Sequence, residues 1–129
     1  MTTKHTPEQS RNAWIGVDLD GTLARHHTNW TYPDIGEPVP EMVRKVRQAL
    51  DRGYDVRILT ARMAMCGTLK EYADTEAQIQ AWFKEHVRDV PVTVTAFKDG
   101  AMVELWDDRA VGVERNTGKF LSESPLGIR

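Results

Sequence analysis

The chain has 129 residues, 40% of them hydrophobic and 28% charged, and 17 Lys and Arg against 19 Asp and Glu leave a net charge of −2. That length matches one domain that buries a core without staples, and the near-neutral balance excludes a surface that grips nucleic acid or an anionic membrane by charge alone. The one cysteine, Cys66, excludes an internal disulfide, and neither a signal-like apolar start nor a run of about 18 apolar residues is present, so the expectation is a soluble, cytoplasmic protein.

Residues 1–12 read as a flexible lead-in, 13–121 as a single folded domain and 122–129 as an irregular tail. Trp14, Ile15, Gly16 and Val17 form a brief apolar run that stops at Asp18, as a buried strand does where it meets a polar site. Pro40 opens an amphipathic helix with Met42, Val43, Val46, Ala49 and Leu50 on one face and Gly53 at its stop. Residues 56–59 are a second strand, ending at Thr60. A second helix covers about 69–87, with Tyr72, Ile79, Phe83 and Val87 facing inward. Its start is open between two capping boxes, Thr68 with Glu71 and Thr75 with Gln78. Residues 91–95 give a third strand, 103–106 a fourth that ends at Asp107, and 111–113 a short fifth. Strands alternating with helices predict βαβ units, a mainly parallel sheet and helices on both faces. Glu104 is out of place if the fourth strand is central.

In open α/β sheets the carboxyl ends of the strands gather ligand-binding side chains. Here those ends carry Asp18 and Asp20, then Thr60, then Asp107 and Asp108, with Lys98 in the loop leading to the fourth strand. Four carboxylates on one rim cannot all stay ionised without a cation. Oxygen ligands are what Mg²⁺ takes, usually with waters and a phosphate oxygen. Such an ion serves phosphoryl transfer, Lys98 and Thr60 are suited to hold the remaining phosphoryl oxygens, and a carboxylate beside it can attack phosphorus to form an aspartyl phosphate.

The ordered set of Asp18, Leu19, Asp20, Gly21 and Thr22, then Thr60, Lys98 and the pair Asp107 and Asp108 resembles the four motifs of the haloacid dehalogenase-like phosphohydrolase superfamily, over about residues 13–113. The resemblance implies a Rossmann-like three-layer α/β/α sandwich with about five strands. It implies that Asp18 is the nucleophile and a metal ligand, and that Asp20 is the general acid and then the base, its backbone carbonyl on Mg²⁺. Thr60 and Lys98 would bind phosphate, and Asp107 and Asp108 would complete the metal site. Leu23 to Val39, about 17 residues, is too short for the cap domain of many members, so the expectation is a minimal, capless phosphatase. An open site suits a bulky phosphorylated small molecule, a nucleic-acid end, or a lid borrowed within a homo-oligomer. Ala61 with Arg62, and Arg109 after the acid pair, also resemble polynucleotide-end phosphatases, which makes a 3′-end or nucleotide substrate a narrower alternative.

Each residue also has a plainer role. Asp18 and Asp20 are common in turns, Thr60 in helix caps, and a lone Lys98 is usually solvated. Arg62 and Arg109 are equally an ion-pair partner or a substrate contact. His26, His27, Asn29, Trp30 and Tyr32 sit on the expected flap, where solvated or packing roles outweigh a metal or stacking site. Cys66, Trp82 and Phe83 read as packing residues. Outside this reading stand a receiver-like domain, disfavoured because its paired acids come after the first strand, and a phosphate-binding module without turnover.

Overall fold

The computed structural model of the chain describes residues 13–26 and 33–129; the expected lead-in at 1–12 and the flap residues His27, Asn29, Trp30 and Tyr32 lie outside them. The elements run β1 (Trp14–Val17), α1 (Pro40–Asp51), β2 (Asp55–Leu59), α2 (Ala61–Ala64), α3 (Leu69–His86), β3 (Thr93–Thr95) and β4 (Met102–Trp106). The strands form one four-stranded sheet in the order β3-β2-β1-β4, and every pairing is parallel. The protein therefore has an α/β fold.

Register explains the core. Ile15 pairs with Val56, Val17 with Ile58, and Ile58 with Val94. Because side chains alternate across a strand, these five share one face. On that face they join Val43, Val46 and Ala49 of α1 and Ile79, Trp82 and Phe83 of α3 in a single buried cluster. The helices also touch each other's ends. Arg47 donates from Nε to the Val87 carbonyl at 2.7 Å, where a cation suits the C-terminus of α3, and Arg88 pairs with Asp51 at 2.7 Å.

Both long helices thus lie on the same face, which corrects the expectation of helices on both. The reason is direction. β1 to β2 to β3 steps one way along the sheet, and right-handed crossovers put successive helices on one side. Residues 96–101 make the return from β3 to β4 as a loop, so among the described residues this crossover places no helix on the other side. The second face carries Trp14, Gly16, Arg57 and Leu105. There Trp14 Nε1 donates to Asp99 of the return loop at 2.9 Å, and the Arg57 guanidinium lies 4.8 Å from the Trp14 ring centroid.

Local signals resolve as physics requires. Pro40 occupies the first turn of α1, and Gly53 follows its end with φ +85°, the left-handed conformation glycine adopts without strain. Thr68 is the cap of α3, accepting from the Glu71 N–H at 3.1 Å; Thr75 is buried inside the helix. Tyr72, expected inward, is 37% exposed: burial along α3 starts only at Thr75, so its first turn and a half runs beyond the core. The fifth strand does not form. Val113 pairs antiparallel with Phe120 across a turn in which Asn116 and Gly118 take positive φ, so its hydrogen bonds close locally. Glu104 is accommodated because β4 is an edge strand among the described residues, and Trp106 Nε1 donates to its carboxylate at 2.9 Å.

Phe83 is fully buried between α3 and the sheet, so Phe83→Ala should lower unfolding free energy by about 3–5 kcal/mol. Thr68→Ala, which removes only the cap, should cost about 1 kcal/mol. Urea denaturation of the two variants checks the contrast.

Candidate metal and phosphoryl-transfer site

The acidic ends of β1 and β4 meet because the two strands are neighbours. Asp18 donates its backbone N–H to the Trp106 carbonyl at 2.9 Å, which sets it beside Asp107. Leu19 and Leu23, both fully buried, pin the turn after β1 into the core, and within it the Leu23 and Ala24 N–H groups donate back to the Asp18 and Leu19 carbonyls. Gly21 has φ +89°, and a Cβ there would lie 2.5 Å from Asp108 Oδ2. The turn and the acid pair are packed that closely, so glycine is needed for both conformation and space.

Asp18, Asp107 and Asp108 each offer a carboxylate oxygen, and these oxygens lie within 4.8 Å of one another. Thr22 stitches the cluster. Its hydroxyl is 3.1 Å from Asp108 Oδ1 and 3.4 Å from Asp18 Oδ2, and it accepts from the Asp108 N–H at 3.0 Å. Asp107 Oδ1 accepts from the Arg109 N–H at 2.7 Å, which orients that carboxylate too. Burial, a hydrogen bond with Asp108 and the charges of Asp107 and Asp108 push Asp18 from 3.8 up to about 7, against the opposing Leu19 N–H. A half-buried carboxylate crowded by two others is the environment a hard cation relieves. The donor set is all oxygen, which suits a hard divalent cation without selecting among Mg²⁺, Mn²⁺ and Ca²⁺.

Asp20 lies outside this triad. Both of its oxygens are held by Arg62, Oδ2 by Nε at 2.8 Å and Oδ1 by Nη2 at 2.9 Å. Arg62 is 2% exposed and also donates to the carbonyls of Pro33 and Asp34, each at 2.7 Å. Of the two roles expected for Arg62, the structure shows the ion pair with Asp20. Arg109 is exposed. Thr60 sits at the end of β2, 3% exposed, with its N–H on the Thr95 carbonyl. Its hydroxyl accepts the Arg62 N–H at 3.2 Å, capping α2 and keeping its own proton available to donate.

Lys98 is exposed on the return loop and, among the described residues, pairs with none of the triad. The neighbouring Asp99 is tied to Trp14, at the end of β1 opposite Asp18. Among the described residues, Lys45 of α1 lines the cavity of about 610 Å³ beside Asp107 and Asp108, with Val39, Met42 and Trp106 as apolar walls. Sequence reasoning gave no role to Thr22 or Lys45. Thr22 was visible in its motif; Lys45 carries no signal beyond its place on the outer side of an amphipathic helix. His26 and Cys66 are not part of the triad.

No family model matches the chain, and no curated protein matches it in sequence. A solved structure of a conserved protein from Bacteroides thetaiotaomicron is similar over 75% of this chain and 76% of its own, at 19% identity and a TM-score of 0.47.

Without a cation, the native chain retains on Asp18 a proton that the unfolded chain has released between pH 3.8 and about 7. Stability from this group is therefore full below that window and falls as pH rises through it. In EDTA, the melting temperature of the wild type relative to Asp18→Asn should drop by several degrees across the window, and millimolar Mg²⁺ or Mn²⁺ should restore it in the wild type alone.

Proposed function

We propose that the protein is a divalent-cation-dependent phosphatase that hydrolyses phosphomonoesters through an aspartyl phosphate on Asp18. The observation that carries this reading is the triad of Asp18, Asp107 and Asp108 at the ends of adjacent strands, with Asp18 driven toward protonation by its burial and by the two neighbouring carboxylates. A structural acid pair has no use for a third, half-buried carboxylate held against it. The ion would be held by Asp18, Asp107 and Asp108. When bound, it supplies charge neutralisation for the transferred phosphoryl group.

The chain's own residues divide the remaining work. Asp18, half-buried beside the other two, attacks phosphorus in line through a carboxylate oxygen. A P–O bond to Asp18 forms as the ester P–O bond breaks, and the departing oxygen takes a proton from Asp20, which for this step must be protonated and turned out of its fork with Arg62. Water then attacks the same phosphorus and passes a proton to Asp20, the bond to Asp18 breaks, and inorganic phosphate leaves with both aspartates restored. Thr60 has a hydroxyl proton to offer a phosphoryl oxygen. Lys98 would have to swing in from its exposed loop to do the same.

Asp18→Asn should reduce phosphomonoester hydrolysis by at least 10³-fold while leaving the fold intact, and excess EDTA should abolish the wild-type rate reversibly. Phosphate release from a broad panel of phosphoesters checks both, and it also separates small phosphomonoesters from 3′-phosphorylated oligonucleotides. Undiminished release by Asp18→Asn contradicts the reading.

A further inference from the structure

We infer that the cavity beside Asp107 and Asp108 seats the organic half of the ester, and that it selects phosphomonoesters whose alcohol is a flat aromatic body bearing a second anionic group, held by Lys45. The inference rests on the proposed phosphatase reading and adds a substrate class to it. Three observations carry it. First, the cavity, of about 610 Å³, has the size of a small-molecule site and is continuous with the acid pair and with Gly21 and Thr22 of the turn after β1. Second, its other walls are Val39, Met42 and Trp106. Trp106 Nε1 donates to Glu104 at 2.9 Å, which satisfies the indole's polar atom, holds the ring in place and leaves its faces for a flat partner; Met42 adds a thioether of the kind that packs on aromatic rings. Third, Lys45 stands away from the acids. α1 begins at the site, where the Val39 N–H donates to the Leu23 carbonyl at 2.8 Å, and Lys45 lies six residues on, about 9 Å along the helix. It also lines a second cavity, of about 350 Å³, with Gln48 and Ala49 further down α1.

Charge fixes the direction in which such a substrate lies. Its phosphoryl group belongs at the acid end, with the ion, and a second anion placed there would be repelled by Asp107 and Asp108. Lys45 offers the complementary charge at the other end. Among the described residues no carboxylate pairs with its ammonium; Glu41, one turn back on α1, is taken by Arg44 at 3.0 Å. The stretch between the two ends is apolar, so an alcohol rich in hydroxyls, such as a sugar, would give up hydration against Val39, Met42 and Trp106 with little in return. An aromatic alcohol gains from the same walls, and an anion at its far edge reaches the ammonium.

The test compares phenyl phosphate esters that carry a para-carboxylate or its uncharged isostere, a para-carboxamide. The wild type should prefer the carboxylate ester in kcat/KM by roughly tenfold, the scale of one hydrogen bond to a charged group, with the difference in KM rather than kcat. Lys45 is exposed, so its substitutions leave the core intact. Lys45→Met, which keeps the apolar stem, should bring the ratio of the two esters to about one, Lys45→Glu should invert it, and Lys45→Arg should retain most of it. Binding to the Asp18→Asn protein, followed by calorimetry, should show the same preference without turnover, and should be several-fold tighter for the carboxylate ester than for a carboxyalkyl phosphate of similar length that lacks the ring. Equal kcat/KM for the two aryl esters, a preference that survives Lys45→Met, or equal binding of the aryl and alkyl carboxylates overturns the inference. So does a wild type that releases phosphate from other esters but from neither of these, and in all four cases the phosphatase reading stands. A wild type that releases phosphate from no ester overturns that reading and this inference with it.

Discussion

Like charge crowded at the ends of two neighbouring strands is the constraint around which the rest of the molecule is arranged. Two unit charges about 4 Å apart repel by about 4 kcal/mol at an effective dielectric near 20, and Asp18 faces two such neighbours from a half-buried position. A fold selected for stability alone would separate them. This one does the opposite. It spends a fully buried pair of leucines, a left-handed glycine and a threonine hydroxyl on keeping the three carboxylates together.

The sheet order makes that arrangement possible. β1 and β4 are far apart in the chain yet adjacent in space, and the Asp18 N–H on the Trp106 carbonyl extends their ladder by one bond into the site. β2, on the other side of β1, delivers Thr60 and Arg62 to the same end. Both long helices pack on one face, so their burial holds β1 and β2 rigid at the level where the turn after β1 leaves the core. The second face depends on Trp14, which is buried, bonded to Asp99 and covered in part by Arg57. Packing below thus fixes electrostatics above.

Much of this was legible in the sequence, because it rests on local rules. Apolar runs cut short by aspartate marked β1 and β4, Pro40 and Gly53 marked the ends of α1, and Thr68 with Glu71 marked the start of α3. The acids of the triad could be named from their order alone. What was not legible depends on direction and distance in space. Periodicity shows that a helix has a buried side but not which face of the sheet it covers; that follows from strand order and crossover hand. Val111 to Val113 looked like a strand, but nothing in three residues says whether they pair with the sheet or with their own continuation, and Asn116 and Gly118 decided for the latter. Spacing gave Lys98 its place in the order, but not that the next residue, Asp99, bonds to Trp14 at the far end of β1. For Arg62 the sequence left two roles, and its fork on Asp20 is visible only in the structure.

Everything functional follows from the triad acting as a cation site, and direct binding tests that claim without any substrate. Mn²⁺ titrated into the metal-stripped protein and followed by electron paramagnetic resonance should show one ion bound per chain. Asp107→Asn should weaken that binding at least tenfold, and Mg²⁺ should displace the ion competitively. A wild type that leaves Mn²⁺ free at millimolar concentration, or an Asp107→Asn protein that binds it equally well, would contradict the account.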